Sequence, residues 1–238
     1  MYCRKYLPCS VSFILNIVVM FIIIGTAFSQ ERSGNAEITA IRAGKMIDGV
    51  GDSPLDKIVI LISGERILDV GTDVRIPSNA NVIDLSGYTV LPGLIDTHTH
   101  ILLTPATPAG SPVLYKSIPY RTVEGALAAK LNLEAGFTTL RDIDSEGANF
   151  ADVAIRDAIN DGLIPGPRFQ VATMALSITG GHMNLTGLAP HIEVPQLATL
   201  ADSPYEQIKE IRRQVKYGTE LDKTIRHRNT ASHKQGNL

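Results

Sequence analysis

From Val90 onward the chain alternates β-like and helical stretches, and that alternation is its strongest constraint on fold. Strands that alternate with helices bury both elements well only as a parallel sheet with right-handed crossovers. Leu94–His98 reads as a first strand, and a helix over Thr122–Ala135 carries Val123, Leu127 and Leu131 on one side and stops at Gly136. Phe137–Asp142 is a second strand, followed by a helix over Phe150–Asp161 with Phe150, Val153, Ala154 and Ala158 inward and Gly162 at its end. Arg168–Met174 is a third strand. The next helix opens with Ser203 as N-cap, Pro204 at its first position and Glu206 completing a capping box. Its Ile208, Ile211 and Val215 follow a helical stripe, and Gly218 closes it. The fold class is α/β, with three to four βα units of a TIM-type barrel, whose functional groups gather at the C-terminal ends of the strands.

A different rhythm precedes this. Ile38–Ala43, Lys57–Ile62, Arg66–Val70 and Val82–Leu85 are short and rich in β-branched residues, and turn formers separate them. Ser63-Gly64 between two apolar runs reads as a hairpin turn. Residues 38–90 are therefore expected to form a small antiparallel, sandwich-like β domain. Residues 91–220 carry the barrel units.

Asp96-Thr-His98-Thr-His100 stands at the end of the apolar run Val90-Leu-Pro-Gly-Leu-Ile95. Alternate residues of an extended segment share a face, so Asp96, His98 and His100 are expected to point one way. Two imidazoles that close can share a divalent cation, and a carboxylate beside them can orient a ligand.

With these residues the chain resembles the amidohydrolase superfamily. Gly136-Phe-Thr-Thr-Leu-Arg-Asp142, Gly166-Pro-Arg168 and Ile178-Thr-Gly-Gly-His182 resemble its Xaa-Pro dipeptidase and imidazolonepropionase-like branch. The resemblance covers about residues 38–220. It implies a metal-dependent hydrolase of amide-type C–N bonds, acting on a small molecule such as an Xaa-Pro dipeptide or a cyclic amide. One or two divalent ions, zinc being the expected metal, would be held first by His98 and His100. Lys223 falls where the family has a carboxylated lysine bridging two metals. Asp96 is expected to support the metal ligands, and His182 to lie on the substrate side. Asp142 beside Arg141 reads as a buried ion pair shaping the barrel mouth.

The ends of the chain read differently. Arg4 and Lys5, an apolar stretch from Val11 to Phe28 and Ala27-Phe-Ser29 are the parts of a secretory signal peptide. Residues 1–29 are thus expected to direct secretion or periplasmic export, or to act as a membrane anchor if uncleaved. A polar linker, residues 30–37, follows. Both cysteines, Cys3 and Cys9, lie in the leader. A net charge of −2, with no tryptophan and 5% aromatics, argues against a nucleic-acid partner and leaves membrane contact to the leader alone. Homo-oligomerisation stays open.

A complete barrel takes about 250 residues, and the family pattern breaks off near Thr219. Written in synonymous codons with one nucleotide removed, residues 220–228 become Asp-Trp-Ile-Lys-Leu-Tyr-Ala-Thr-Gly, which resembles the family's next strand. A one-nucleotide insertion is thus one reading of residues 221–238, an out-of-frame tail in which polar Asp222 and Thr224 flank Lys223. Two functional expectations follow, a metal-dependent amidohydrolase or a non-catalytic fragment with an incomplete barrel.

Overall fold

The computed structural model describes residues 37–103, 112–185 and 187–220. The expected leader, Lys223 and the tail lie outside the described residues. The chain divides after Pro92 into two compact units.

The first unit contains β1 (Ile38–Met46), β2 (Leu55–Ser63), β3 (Arg66–Gly71) and β4 (Asn81–Val90). They form one sheet in the order β3-β2-β1-β4. The β2–β3 hairpin turns one residue later than expected. Ser63 still pairs with Arg66, and Gly64, at φ +56°, opens the two-residue turn. The expectation of an antiparallel sheet is corrected at one ladder, because β1 pairs antiparallel with β2 but parallel with β4. The segment after β3 returns the chain to the far side of β1, where the fourth strand pairs parallel to it. The register of β1 against β4 shifts between Ala43 and Lys45. Gly44 sits in that irregularity, where a β-carbon would lie 2.2 Å from the Ser86 carbonyl oxygen.

The second unit holds the alternation. Its elements are β5 (Leu94–Thr99), α1 (Ile118–Glu134), β6 (Phe137–Asp142), α2 (Ala151–Asn160), β7 (Arg168–Val171), β8 (Leu176–Ser177), β9 (Thr199–Leu200) and α3 (Pro204–Lys216). β5, β6 and β7 form a parallel sheet in that order, and β8 pairs parallel with β9. No helix among the described residues is long and apolar enough to cross a membrane.

Two of the helices have a local reason to start, and each of the three is followed by a glycine. α1 begins four residues before the expected Thr122, because the Ser117 hydroxyl accepts the Tyr120 N–H and Pro119 occupies the first turn. α3 carries the expected capping box between Ser203 and Glu206, with Arg213 and Lys216 in its last turn. Gly136, Gly162 and Gly218 follow the three helices at φ +97°, +70° and +100°, a backbone that glycine adopts without strain.

The core lies between the sheet and the first two helices. It is built from Leu102, Ala129, Leu140, Val153, Ile155, Phe169 and Val171. The faces that the three helices bury differ from the stripes read in the sequence. α1 buries Arg121, Gly125 and Ala129 and leaves Val123, Leu127 and Leu131 exposed. The reason is close approach, since a β-carbon on Gly125 would lie 2.8 Å from the tips of Ile155 and Leu102. In α2, Ala154 faces solvent while Asp152, Ile155 and Arg156 are buried. On α3, Ile208 and Val215 are exposed, and Glu210 and Gln214 are the buried residues.

Candidate functional site

The two histidines stand where β5 ends. Their ring centroids are 5.3 Å apart with planes tilted by 57°. The simple alternation expected of Asp96, His98 and His100 is interrupted. Asp96 pairs across with Leu140 and Thr99 with Asp142, so β5 fits an extra residue between those two pairings. Asp96 serves that irregularity directly, because its Oδ1 accepts the backbone N–H of His98 at 3.0 Å. It shapes the strand beneath the imidazole.

His100 is held from both sides along the chain. Asp142, fully buried at the end of β6, accepts the Ile101 N–H at 3.0 Å and the Thr99 hydroxyl at 3.4 Å through one oxygen, Oδ1. The residues before and after His100 are thus tied to a single carboxyl group. Leu102 then anchors the turn in the core, and Leu103 N–H closes it on the His100 carbonyl at 3.0 Å. Burial pushes the Asp142 carboxyl well above the usual range, and the neighbouring Asp152 and Asp144 push it further. The expected ion pair with Arg141 is corrected. Adjacent residues of a strand point to opposite faces, so Arg141 is exposed and its Nε donates to the Thr97 carbonyl at 2.7 Å.

A layer of carboxylates follows β6 that the sequence reading did not single out. One ligand atom each of His100, Asp144 and Glu146 lie within 4.8 Å of one another, a spacing that a divalent ion can bridge. Nδ1 of His100 is 3.0 Å from Oε1 of Glu146, although off the line of a good N–H···O bond. Asp144 Oδ1 accepts the N–H groups of Glu146 at 3.0 Å and Ala175 at 3.2 Å. Arg121, 2% exposed, lies beneath and donates to the carbonyls of Leu102, Ser145 and Glu146.

Asp152 joins the layer from the first turn of α2. Its Oδ2 accepts the Thr173 N–H at 2.7 Å and its Oδ1 the Val153 N–H at 2.9 Å. Burial raises its carboxyl to about 6, against the pull of those N–H donors. Thr173, just past β7, has φ +60°, a costly conformation for a β-branched residue. The Asp152 bond and one from Ser145 N–H to the Thr173 carbonyl, 2.7 Å, hold it there.

The remaining expected residues fall elsewhere. His182 is exposed in the turn after β8, where its carbonyl accepts the Ser177 hydroxyl at 2.5 Å. It is not among the residues that touch the histidine pair in the described contacts. Lys223 lies outside the described residues. One signal could have found Asp144 and Glu146. They are two apart, directly after a strand and before Gly147, the same placement that drew attention to His98 and His100.

Comparison with known proteins identifies a family. Residues 89–234 match the amidohydrolase family, a span that runs past Thr219 into the tail. An ochratoxinase from Aspergillus niger is 32% identical over 164 residues, which are 64% of this chain and 32% of that protein. An imidazolonepropionase from Streptomyces coelicolor is 27% identical over 161 residues, 63% of this chain and 39% of that one. The crystal structure of a Xaa-Pro dipeptidase with methionine bound in its active site superposes with a TM-score of 0.69 at 30% identity. That match covers 79% of this chain and 47% of the dipeptidase. The chain thus spans about a third of the ochratoxinase and about half of the dipeptidase chain. With a match over more than half its length, this chain belongs to the amidohydrolase family.

Proposed function

We propose that the protein is an exported, metal-dependent hydrolase of amide-type C–N bonds, with His98 and His100 among the ligands of a divalent cation. The observation that carries this is the pair of imidazoles 5.3 Å apart at the end of the first parallel strand of an amidohydrolase-family chain. The residues fit a cation in kind and position, with two imidazoles at the strand end and the Asp144 and Glu146 carboxylates within 4.8 Å of one His100 nitrogen. A bound divalent ion supplies Lewis acidity, polarising an amide carbonyl and making a water molecule a better nucleophile near neutral pH.

What the chain itself contributes is placement. Asp96 and Asp142 fix the backbone on either side of the imidazoles, and Arg121 fixes the loop that carries Glu146. Dipeptides ending in proline and cyclic amides are the first substrate classes to examine, because the dipeptidase and imidazolonepropionase relatives carry those names. Export is supported by the basic, apolar and small-residue order of residues 4–29. The parallel sheet β5-β6-β7 is read as the first part of a barrel.

A second reading has its own support. Leu94 and Ile95 of β5 and the Val123, Leu127 and Leu131 stripe of α1 are exposed among the described residues. Two histidines also fall short of the three protein ligands usual in catalytic zinc sites. On that reading the chain is a non-catalytic fragment, and His98 and His100 hold cations weakly. One experiment separates the two. The purified 238-residue chain is loaded with zinc, its metal content measured, and hydrolysis of Xaa-Pro dipeptides followed beside His98→Ala and His100→Ala. Turnover lost in both variants supports the hydrolase. Stoichiometric zinc without turnover, or no zinc retained, favours the fragment.

A further inference from the structure

The described structure places one acidic side chain against His100 in a way that the family pattern at His98 and His100 does not explain. Nδ1 of His100 is shut off from solvent, and Oε1 of Glu146 lies 3.0 Å away. The His100 side chain as a whole keeps 22% of its exposure, so its open edge lies away from Nδ1. A buried ring nitrogen without a partner is costly, and a small rotation of either group would put the Nδ1 proton on the carboxylate oxygen.

The backbone argues that Glu146 is held in place for this contact. It has φ +52°, a left-handed conformation that costs a residue with a side chain about 1 kcal/mol or more. Its N–H donates to Asp144 Oδ1 at 3.0 Å and its carbonyl accepts Arg121 Nη2 at 2.8 Å. A buried carboxylate and a buried guanidinium therefore pin the strained peptide from both ends. The side chain is 7% exposed and turned to the imidazole. A glycine at this position would relieve the strain but could not make the contact.

We infer that Glu146 is the positioning residue of His100: its carboxylate takes the Nδ1 proton, fixes that tautomer and leaves Nε2 as the cation-facing nitrogen. This deepens the hydrolase reading and rests on it only for the identity of what Nε2 faces. Such an outer carboxylate raises the basicity of an imidazole and fixes its plane, and losing one typically weakens metal binding about 10- to 100-fold.

The test has two readouts. In metal-free protein with 15N-labelled histidine, at about pH 8 where imidazole is neutral, ring-nitrogen NMR reports which nitrogen carries the proton. A His100→Gln variant identifies the His100 signals. The expected result is Nδ1–H in the wild-type chain and in Glu146→Gln, whose amide oxygen still accepts, with a shift towards Nε2–H in Glu146→Ala. Zinc affinity, from competition with a chromophoric chelator, should fall about 10- to 100-fold in Glu146→Ala and less in Glu146→Gln. Thermal unfolding of each variant accompanies both, since a purely structural Glu146 would move the melting temperature and leave the tautomer alone. Nε2–H at His100 in the wild-type chain overturns the inference, and would instead turn Nδ1 towards a cation shared with Asp144 and Glu146. Unchanged tautomer and affinity in a folded Glu146→Ala overturn it as well. If the wild-type chain takes up no zinc, the hydrolase reading fails, while the tautomer of the metal-free protein still decides the role of Glu146.

Discussion

Asp152 should make the protein less stable as pH rises from about 4 to about 6. Its carboxyl is fully buried and lifted from 3.8 to about 6 by loss of solvation, the largest effect on it. Hydrogen bonds from Thr173 and Val153 and the charge of Arg156 oppose that lift without cancelling it. The native state therefore holds this proton more firmly than the unfolded chain does. Below about pH 4 both states are protonated, and the group takes nothing from stability. Between the two values the unfolded chain loses its proton first, and stability declines until the native group also ionises. A lift of about two units corresponds to about 3 kcal/mol. That is a large share of the 5–15 kcal/mol typical of a domain. The assay is urea unfolding of the wild-type chain and Asp152→Asn from pH 4 to 7.5, with chelator present so that no cation contributes. The amide keeps one acceptor for Thr173 N–H but presents a donor to Val153 N–H, so the variant should be the less stable at pH 4, by about 1–2 kcal/mol. By pH 7 the difference should have moved about 3 kcal/mol in favour of Asn, because only the wild-type chain must bury a charge. Titration of groups away from Asp152 is common to both proteins and drops out, and only Asp142, which the Asp152 charge raises, is itself altered by the substitution. A gap that stays constant across this range would refute the account.

Three further outcomes follow from the same unit. Arg121→Met should cost at least about 3 kcal/mol, because it strips donors from three buried carbonyls, and a shift of under 1 kcal/mol in urea unfolding would contradict that role. Gly147→Ala should cost about 1–3 kcal/mol, since Gly147 has φ +77° and a β-carbon there would sit 2.7 Å from the Gln196 carbonyl oxygen. Crystallography of that variant should show the loop carrying Glu146 displaced, and an unmoved loop with wild-type stability would count against the close approach. Ser203→Ala should remove about 1 kcal/mol and speed amide exchange at Glu206, whose N–H the serine hydroxyl accepts. Unchanged exchange there would show that the cap is not formed in solution.

The sequence carried the order of elements well and their facing poorly, and particular residues show why. Local chemistry announces where a helix starts, so Ser203, Pro204 and Glu206 could be read without a structure. The strand that presents His98 and His100 was legible because its apolar run and its polar end are both local. The extra residue in β5 was not. A bulge is settled by the pairings of Asp96 and Thr99 with β6, which leave no mark on the spacing of the histidines. The α1 stripe misled for a related reason. Periodicity identifies Val123, Leu127 and Leu131 as one face, but the close approach of Gly125 and Ala129 to the α2 side chains decides which face is buried. The parallel β1–β4 ladder likewise depends on where a connection travels. Asp144 and Glu146 escaped notice because acidic residues in a loop usually face water.

The placement of those acids explains why the layer behind the histidines can exist. Asp142, Asp144, Glu146 and Asp152 are all buried, and the buried Arg121 donates its hydrogen bonds to the carbonyls of Leu102, Ser145 and Glu146. Several like charges in a poorly solvated space cannot all be sustained without donors, protons or a cation. The chain meets this cost differently at the two depths. Towards the core, burial raises both Asp142 and Asp152, and the charges of Asp152 and Asp144 raise Asp142 further, so each holds a proton more firmly than an exposed carboxyl does. Nearer the rim, Asp144 receives backbone N–H groups, and Glu146 meets the enclosed nitrogen of His100. A cation arriving at the histidines would meet the carboxyls of Asp144 and Glu146 within 4.8 Å of one His100 nitrogen. The same arrangement that costs stability in the empty protein favours binding at the rim, and the two effects are coupled. Zinc should raise the melting temperature of the wild-type chain, and that increment should shrink in Glu146→Gln, which carries one negative charge fewer. An increment identical in both proteins would show that the carboxylate layer plays no part in attracting the ion.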